Sequence, residues 1–142
     1  MRVLVAEDNT WVAMLIEDVL IDDGHEVVGP VATAKAALTL IDRDPPDLLI
    51  ADIHLDDGET GCDLVIEAQK RCGTAALFVT GSPEKAQRCD TALGVLVKPF
   101  PAQALQAAIH VAEDLMSGTP AVRVPSELQL FAAGRTDRKP SE

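Results

Sequence analysis

Five short apolar runs punctuate the chain at fairly regular intervals: Val3-Leu4-Val5, Val27-Val28, Leu48-Leu49-Ile50, Leu77-Phe78-Val79 and Val95-Leu96-Val97. None alternates cleanly with polar residues. A strand with one face in water has to alternate, so runs of this kind fit strands covered on both faces, as in a parallel sheet. The segments between them carry helical spacing. In the first, Val12, Leu15, Ile16, Val19 and Leu20 fall at i, i+3, i+4, i+7 and i+8, a single apolar stripe. Asn9 or Thr10 can cap its start and Gly24 can stop it.

A second helix is expected over 33–43, from Thr33 to the Asp44-Pro45-Pro46 stop, and a third over 60–72, ending at Gly73. A fifth is expected over 102–116, beside Pro101 and before Gly118. The fourth, between Ser82 and Thr91, has a proline start but little apolar stripe and should be short. The pattern is five βα units. Right-handed crossovers then place helices on both faces of a five-stranded parallel sheet, an α/β fold.

With 142 residues, 47% of them hydrophobic and no internal repeat, the chain reads as one domain able to bury a core. Twelve basic residues against twenty-three acids give a net charge of −11, which argues against nucleic acid or an anionic membrane as a direct partner. A divalent cation or a basic protein surface suits it better. The three cysteines, Cys62, Cys72 and Cys89, form no CxxC, and no histidine stands at obvious metal-ligand spacing. They are expected to be free thiols packed as small core residues in a reducing compartment. The start MRVLVAED lacks the regions of a signal peptide, and no apolar stretch nears the ~18 residues of a membrane span, so a cytoplasmic protein is expected.

After Gly118 the pattern breaks. The domain is therefore set at 1–117 and a C-terminal tail at 118–142, with 118–133 able to dock and 134–142 expected to be disordered. Leu128, Leu130 and Phe131 could dock on their own domain or cross to a second copy as a homodimer, and both readings stay open.

Open parallel sheets present their ligands at the carboxyl ends of the strands. There the first strand ends in Glu7-Asp8, the third in Asp52, the fourth in Thr80 and the fifth in Lys98-Pro99, while the second ends in Gly29-Pro30 with nothing reactive. Each residue alone has an ordinary explanation: a helix-start acid pair, a β-branched strand residue, a solvated lysine. Four strands delivering three acids, a hydroxyl and an amine to one edge is harder to explain that way. Clustered carboxylates repel unless a cation neutralises them, and an all-oxygen ligand set points to Mg²⁺. A carboxylate can also attack phosphorus to give an aspartyl phosphate. Positioning and charge neutralisation then carry the catalysis.

VLVAEDN, LLIADIHL, FVTG and VLVKPF, in this order and on these strands, resemble the receiver domain of two-component response regulators over about residues 1–117. The resemblance implies a flavodoxin-like, doubly wound sheet of order 2-1-3-4-5. It also implies that Asp52 accepts a phosphoryl group from a sensor histidine kinase or a histidine phosphotransfer protein. Glu7, Asp8 and Asp52, with the main-chain carbonyl of His54, would hold Mg²⁺, the sole cofactor expected. Lys98 would contact the phosphoryl group, Thr80 would move toward it on activation, and Lys98-Pro99 matches the family's cis X-Pro site. Catalysis would be limited to self-phosphotransfer and autodephosphorylation, with output through contact with a downstream protein or through a sink or relay role in a phosphorelay.

The chain departs from that family pattern in places. Val95 stands where an aromatic switch residue is common, and the stretch from Thr80 to Lys98 is short by about one helical turn. FVTG and VLVKPF resemble the stand-alone subgroup nicknamed "FAT GUY", with Val79 in place of its alanine and Ser82-Pro83 in place of its aromatic ending. Gly81 leaves the phosphoryl site unshielded, which suggests a short-lived phosphate. His54 is expected to be exposed, Trp11 to pack, and Asp56, Asp57 and Glu59 to form a solvated loop. Two other readings compete. A haloacid dehalogenase-like Mg²⁺-dependent phosphatase also uses an aspartyl nucleophile, but on a first-strand DxD absent here. A receiver-like binding module that is never phosphorylated need not keep all five residues.

Overall fold

The computed structural model describes residues 1–56, 58 and 60–131. In chain order they form β1 (Arg2–Ala6), α1 (Thr10–Asp22), β2 (Glu26–Val31), α2 (Ala34–Arg43), β3 (Leu48–Ala51), α3 (Gly61–Cys72), β4 (Ala75–Thr80), α4 (Pro83–Ala86), β5 (Gly94–Val97), α5 (Ala102–Met116) and β6 (Leu128–Leu130). The sheet order is β2-β1-β3-β4-β5-β6. The first five strands are mutually parallel, with register pairs Ala6↔Ala51, Ala51↔Phe78 and Thr80↔Val97 near their carboxyl ends. This is the flavodoxin-like order 2-1-3-4-5 that the sequence led us to expect.

The continuous apolar runs are explained by two cores. Successive side chains of a strand point to opposite faces. Leu4, Ala6, Leu49, Ala51 and Phe78 therefore enter one cluster with α2, α3 and α4. Val3, Val5, Leu48, Ile50, Leu77 and Val79 enter the other with α1 and α5. Every residue of β3 is buried, whereas β2, at the sheet edge, is only half-buried. Burying each large aliphatic side chain contributes roughly 1.5–3 kcal/mol, so the three central strands set the frame on which the strand ends stand.

Helix starts follow the capping residues. The side chains of Asn9, Thr33 and Thr60 accept hydrogen bonds from the Val12, Ala36 and Asp63 amides, each at 3.1 Å. Each such cap is worth about 1 kcal/mol. Gly73 ends α3 in the left-handed region at φ 68°. Helix α4 is a single turn, as its weak stripe suggests.

Four expectations are corrected. First, β2 does not stop at Gly29-Pro30 but runs on to Val31, and its pairing with β1 shifts register between Leu4 and Ala6. Second, the sheet has a sixth strand. The tail docks on its own domain, pairing Leu128 with Leu96 and Leu130 with Gly94 antiparallel to β5, and Leu128 and Phe131 are buried. A Cβ on Gly94 would run into the Gln129 carbonyl, so the absent side chain admits this strand. Third, Trp11 does not pack: it is 80% exposed. Fourth, Cys62 and Cys89 are not free thiols but form a disulfide across 27 residues, between the start of α3 and the segment after α4. Their Cα atoms lie 5.7 Å apart, within bridging range, because both segments cover the same face of the sheet. Cys72 is free. The expected disorder of 134–142 falls outside the described residues, as do Asp57 and Glu59. No helix among the described residues is long and apolar enough to cross a membrane.

Candidate functional site

The carboxyl ends of β1, β3 and β5 bring together the acids and the amine. Glu7 directly follows β1, with its amide hydrogen-bonded to the Val31 carbonyl at 2.8 Å. Asp52 directly follows β3, with its amide on the Ala6 carbonyl at 2.9 Å. Both side chains are buried, although acids rarely are without partners. Asp8, the next residue, is the more exposed member of the group, and one carboxylate oxygen from each of Glu7, Asp8 and Asp52 lies within 4.8 Å of the others.

Lys98, at the end of β5, supplies the partner. Its Nζ lies 2.8 Å from Glu7 Oε1 and 2.9 Å from Asp52 Oδ2, bridging the two acids. The second contact is a well-directed hydrogen bond. The first is an ion pair whose direction leaves buried Glu7 Oε1 without a hydrogen bond. The other oxygens are held from the backbone: Glu7 Oε2 accepts from the Asn9 amide at 3.0 Å and Asp52 Oδ1 from the His54 amide at 3.3 Å. The Lys98–Pro99 peptide is cis, as the resemblance implies.

Electrostatics follow from that geometry. Burial pushes the Glu7 carboxyl up to about 7, with Asp52 adding to the rise, while Lys98 and the Asn9 amide pull it down. Burial would lower the Lys98 ammonium, but Glu7 and Asp52 outweigh it and the net shift is upward. The site is short of positive charge: one lysine faces three acids. Glu7 Oε1 is met only by Lys98, and three carboxylates around one lysine fit a hard divalent cation.

The remaining expected residues are placed less directly. Thr80 is fully buried at the end of β4, and its Oγ1 accepts from the Ser82 amide at 3.1 Å. It is tied to Lys98 through the backbone, Lys98 N–H to Thr80 carbonyl at 2.9 Å, and not through its hydroxyl. His54 has an exposed side chain, as expected, and forms an isolated bridge with Thr60. Val95 is fully buried in the cluster that holds Phe78 and Phe131.

Sequence reasoning overlooked Gly61. A Cβ there would collide with the carbonyl of Asp52, and the Gly61 amide is bonded to the Ile53 carbonyl at 2.7 Å. The start of α3 thus presses directly on the loop that carries Asp52. The local signal was a glycine at the first position of a helix, where it has no capping advantage over other residues.

A family model described as the response regulator receiver domain matches residues 3–110, and the chain belongs to that family. Among its relatives, the phyllosphere-induced regulator PhyR of Methylorubrum extorquens is 32% identical over 103 residues, covering 70% of this chain and 38% of PhyR. The transcriptional regulatory protein PdtaR of Mycobacterium tuberculosis is 32% identical over 115 residues, covering 78% of this chain and 56% of PdtaR. The chain therefore spans between 38% and 56% of the length of these two curated relatives. Among solved structures, the receiver domain of Erythrobacter litoralis PhyR is similar with a TM-score of 0.74 and 30% identity, covering 85% of this chain and 95% of that one.

Proposed function

We propose that this chain is a phosphoacceptor: Asp52 takes a phosphoryl group from a phosphohistidine of a sensor histidine kinase or phosphotransfer protein. The observation that carries the reading is the Lys98 ammonium between Glu7 Oε1 and Asp52 Oδ2. A buried aspartate held beside a fixed cation, with an acid pair next to it, is the arrangement that in-line attack on phosphorus needs. In the transfer an Asp52 carboxylate oxygen forms a bond to phosphorus, the phosphorus–nitrogen bond breaks, and the imidazole leaves with the electron pair. Lys98 is placed to follow the negative charge from the Asp52 carboxylate onto the phosphoryl oxygens.

Glu7, Asp8, Asp52 and the His54 carbonyl would hold Mg²⁺, and the convergence of three carboxylates on a single lysine supports this. When bound, the ion supplies charge neutralisation at the phosphoryl oxygens. Thr80, now turned to the Ser82 amide, would exchange that bond for one to the phosphoryl group. The chain acts in the cytoplasm by protein contact or as a sink or relay, and its own chemistry is confined to gaining and losing that one phosphate. The tail pairs with β5 of its own chain, so a homodimer, if formed, would not need exchange of the tail between copies.

Intact-mass measurement after incubation with acetyl phosphate and Mg²⁺ tests this. The expected result is the gain of one phosphoryl group, absent in Asp52→Asn and without Mg²⁺. No gain would return the chain to the reading of an unphosphorylated binding module, and an equal gain in Asp52→Asn would overturn Asp52 as the acceptor.

A further inference from the structure

At the opposite edge of the sheet lies a second group of ionisable side chains that the phosphoacceptor chemistry does not use. The turn between α1 and β2 contains Asp23, Gly24 and His25, with Gly24 at φ 84°, and the His25 amide is bonded to the Leu20 carbonyl. Helix α5 runs back across the same face and brings Glu113 and His110, one turn apart, to that turn. The sequence signal was present as this i, i+3 pair but was invisible until α5 and the turn were brought together.

His25 is the centre of the group. Its side chain is 6% exposed, and its Nε2 is buried with no hydrogen-bond partner. That nitrogen faces Asp23 Oδ2 at 3.6 Å and Glu113 Oε2 at 3.7 Å. Hydrogen bonds between such atoms would be about 2.7–3.2 Å, so these separations are too long. They are close to the spacing of two ligands on one tetrahedral ion, about 3.3–3.4 Å for bonds of about 2.0–2.1 Å. One ligand atom from each of the three residues lies within 4.8 Å of the others.

We propose that Asp23, His25 and Glu113 bind a divalent transition-metal ion of the Zn²⁺ class. Two carboxylates and one imidazole neutralise such an ion, and the nitrogen donor separates this site from the all-oxygen cluster at Asp52. His25 Nδ1 lies 3.1 Å from the Met1 amino nitrogen, which orients the ring. Nε2 makes no hydrogen bond of its own, so a metal ion can replace its proton. Nδ1 then takes a proton from the Met1 amino group, the contact keeps its two atoms with donor and acceptor exchanged, and one proton is released per ion. His110 Nε2 donates to Asp23 Oδ2 at 2.7 Å, and we assign it as a positioning residue that aims the carboxylate. The ion would join the α1–β2 turn to the last turns of α5.

The test is calorimetric titration of the full, tag-free chain with Zn²⁺, with Mg²⁺ in large excess to occupy the acidic cluster and with the Cys72 thiol blocked. One saturable Zn²⁺ per chain is expected, with Co²⁺ giving the intense visible absorption of a tetrahedral site. Glu113→Gln and His25→Gln should each weaken binding more than about tenfold, and His110→Gln by about tenfold, the range for an outer partner. Glu113 is 40% exposed, so its variant keeps the test valid even where His25→Gln misfolds. Zn²⁺ should also raise the melting temperature of the parent and not that of Glu113→Gln. Absence of saturable binding in the presence of Mg²⁺, or binding that Glu113→Gln leaves unchanged, would overturn the proposal.

Discussion

At the carboxyl edge of the sheet, Glu7 and Asp52 are buried around a lysine, while at the opposite edge Asp23 and Glu113 stand around a buried histidine. Both ends gather acids at chain exits from the core. They differ in what balances the charge. Lys98 is a permanent cation on a long stem that reaches two carboxylates at hydrogen-bond distance, so that end is held together by the chain itself. His25 meets its carboxylates only at 3.6 and 3.7 Å and leaves a nitrogen unpartnered, so that end is open to an outside cation. One end carries a lysine at hydrogen-bond distance, still one cation against three acids, whereas the carboxylates of the other meet only histidine nitrogens among the described ion pairs.

Removing the internal cation is the strongest way to break this contrast. Lys98→Ala leaves two buried acids without a positive partner, and taking one member from a buried ion pair costs about 3–5 kcal/mol. The Lys98 side chain is 21% exposed, so the lower end of that range is expected near neutral pH. Mg²⁺ should recover part of the loss, whereas Mg²⁺ should affect the parent less. Urea denaturation of both proteins with and without Mg²⁺ measures this. Equal stability of variant and parent without Mg²⁺ would show that Lys98 does not balance the acids.

A smaller change reaches the same end from the backbone. Gly61→Ala drives a Cβ into the Asp52 carbonyl, which neither rigid β3 nor the first turn of α3 can avoid. Overpacking of this kind costs typically about 1–3 kcal/mol. Because the strain falls on the Asp52 loop, phosphate gain from acetyl phosphate should drop as well, while Zn²⁺ binding at the far edge stays as in the parent. Loss of both activities together would mean that the two ends are not independent.

The contrast also explains how far the sequence could be read. Apolar runs and helix stripes revealed the five βα units because burial on both faces of a parallel sheet leaves a one-dimensional trace. Glu7, Asp8, Asp52, Thr80 and Lys98 were legible because each sits at the end of such a run. Three features lack that trace. The pairing of Cys62 with Cys89 depends on how α3 and the segment after α4 share one sheet face. The docking of Leu128–Leu130 as a sixth strand depends on the gap that Gly94 leaves. The His25 cluster joins a turn to a helix 87 residues away, as the Asp23–His110 bond shows, and no local pattern encodes it.

The gentlest probe of the carboxyl edge is pH. The Glu7 carboxyl is raised from 4.5 to about 7 in the folded chain, chiefly because it is buried. Between those values the folded state holds a proton that the unfolded state has released. Stability from this group is thus fully present below its unfolded value and is lost as the pH rises through about 7. In metal-free protein, the expected loss from Glu7 is on the order of 2–3 kcal/mol from about pH 5 to about pH 7.5. Mg²⁺ takes the ionised carboxylate, so its stabilising effect should grow over the same range. The informative quantity is the difference between parent and Glu7→Gln in denaturation curves at matched pH. Glu7→Gln should flatten the metal-free profile by that amount. A parent profile parallel to that of Glu7→Gln would mean that Lys98 already holds Glu7 ionised across the range, and that the carboxyl edge is fully self-balanced before any ion arrives.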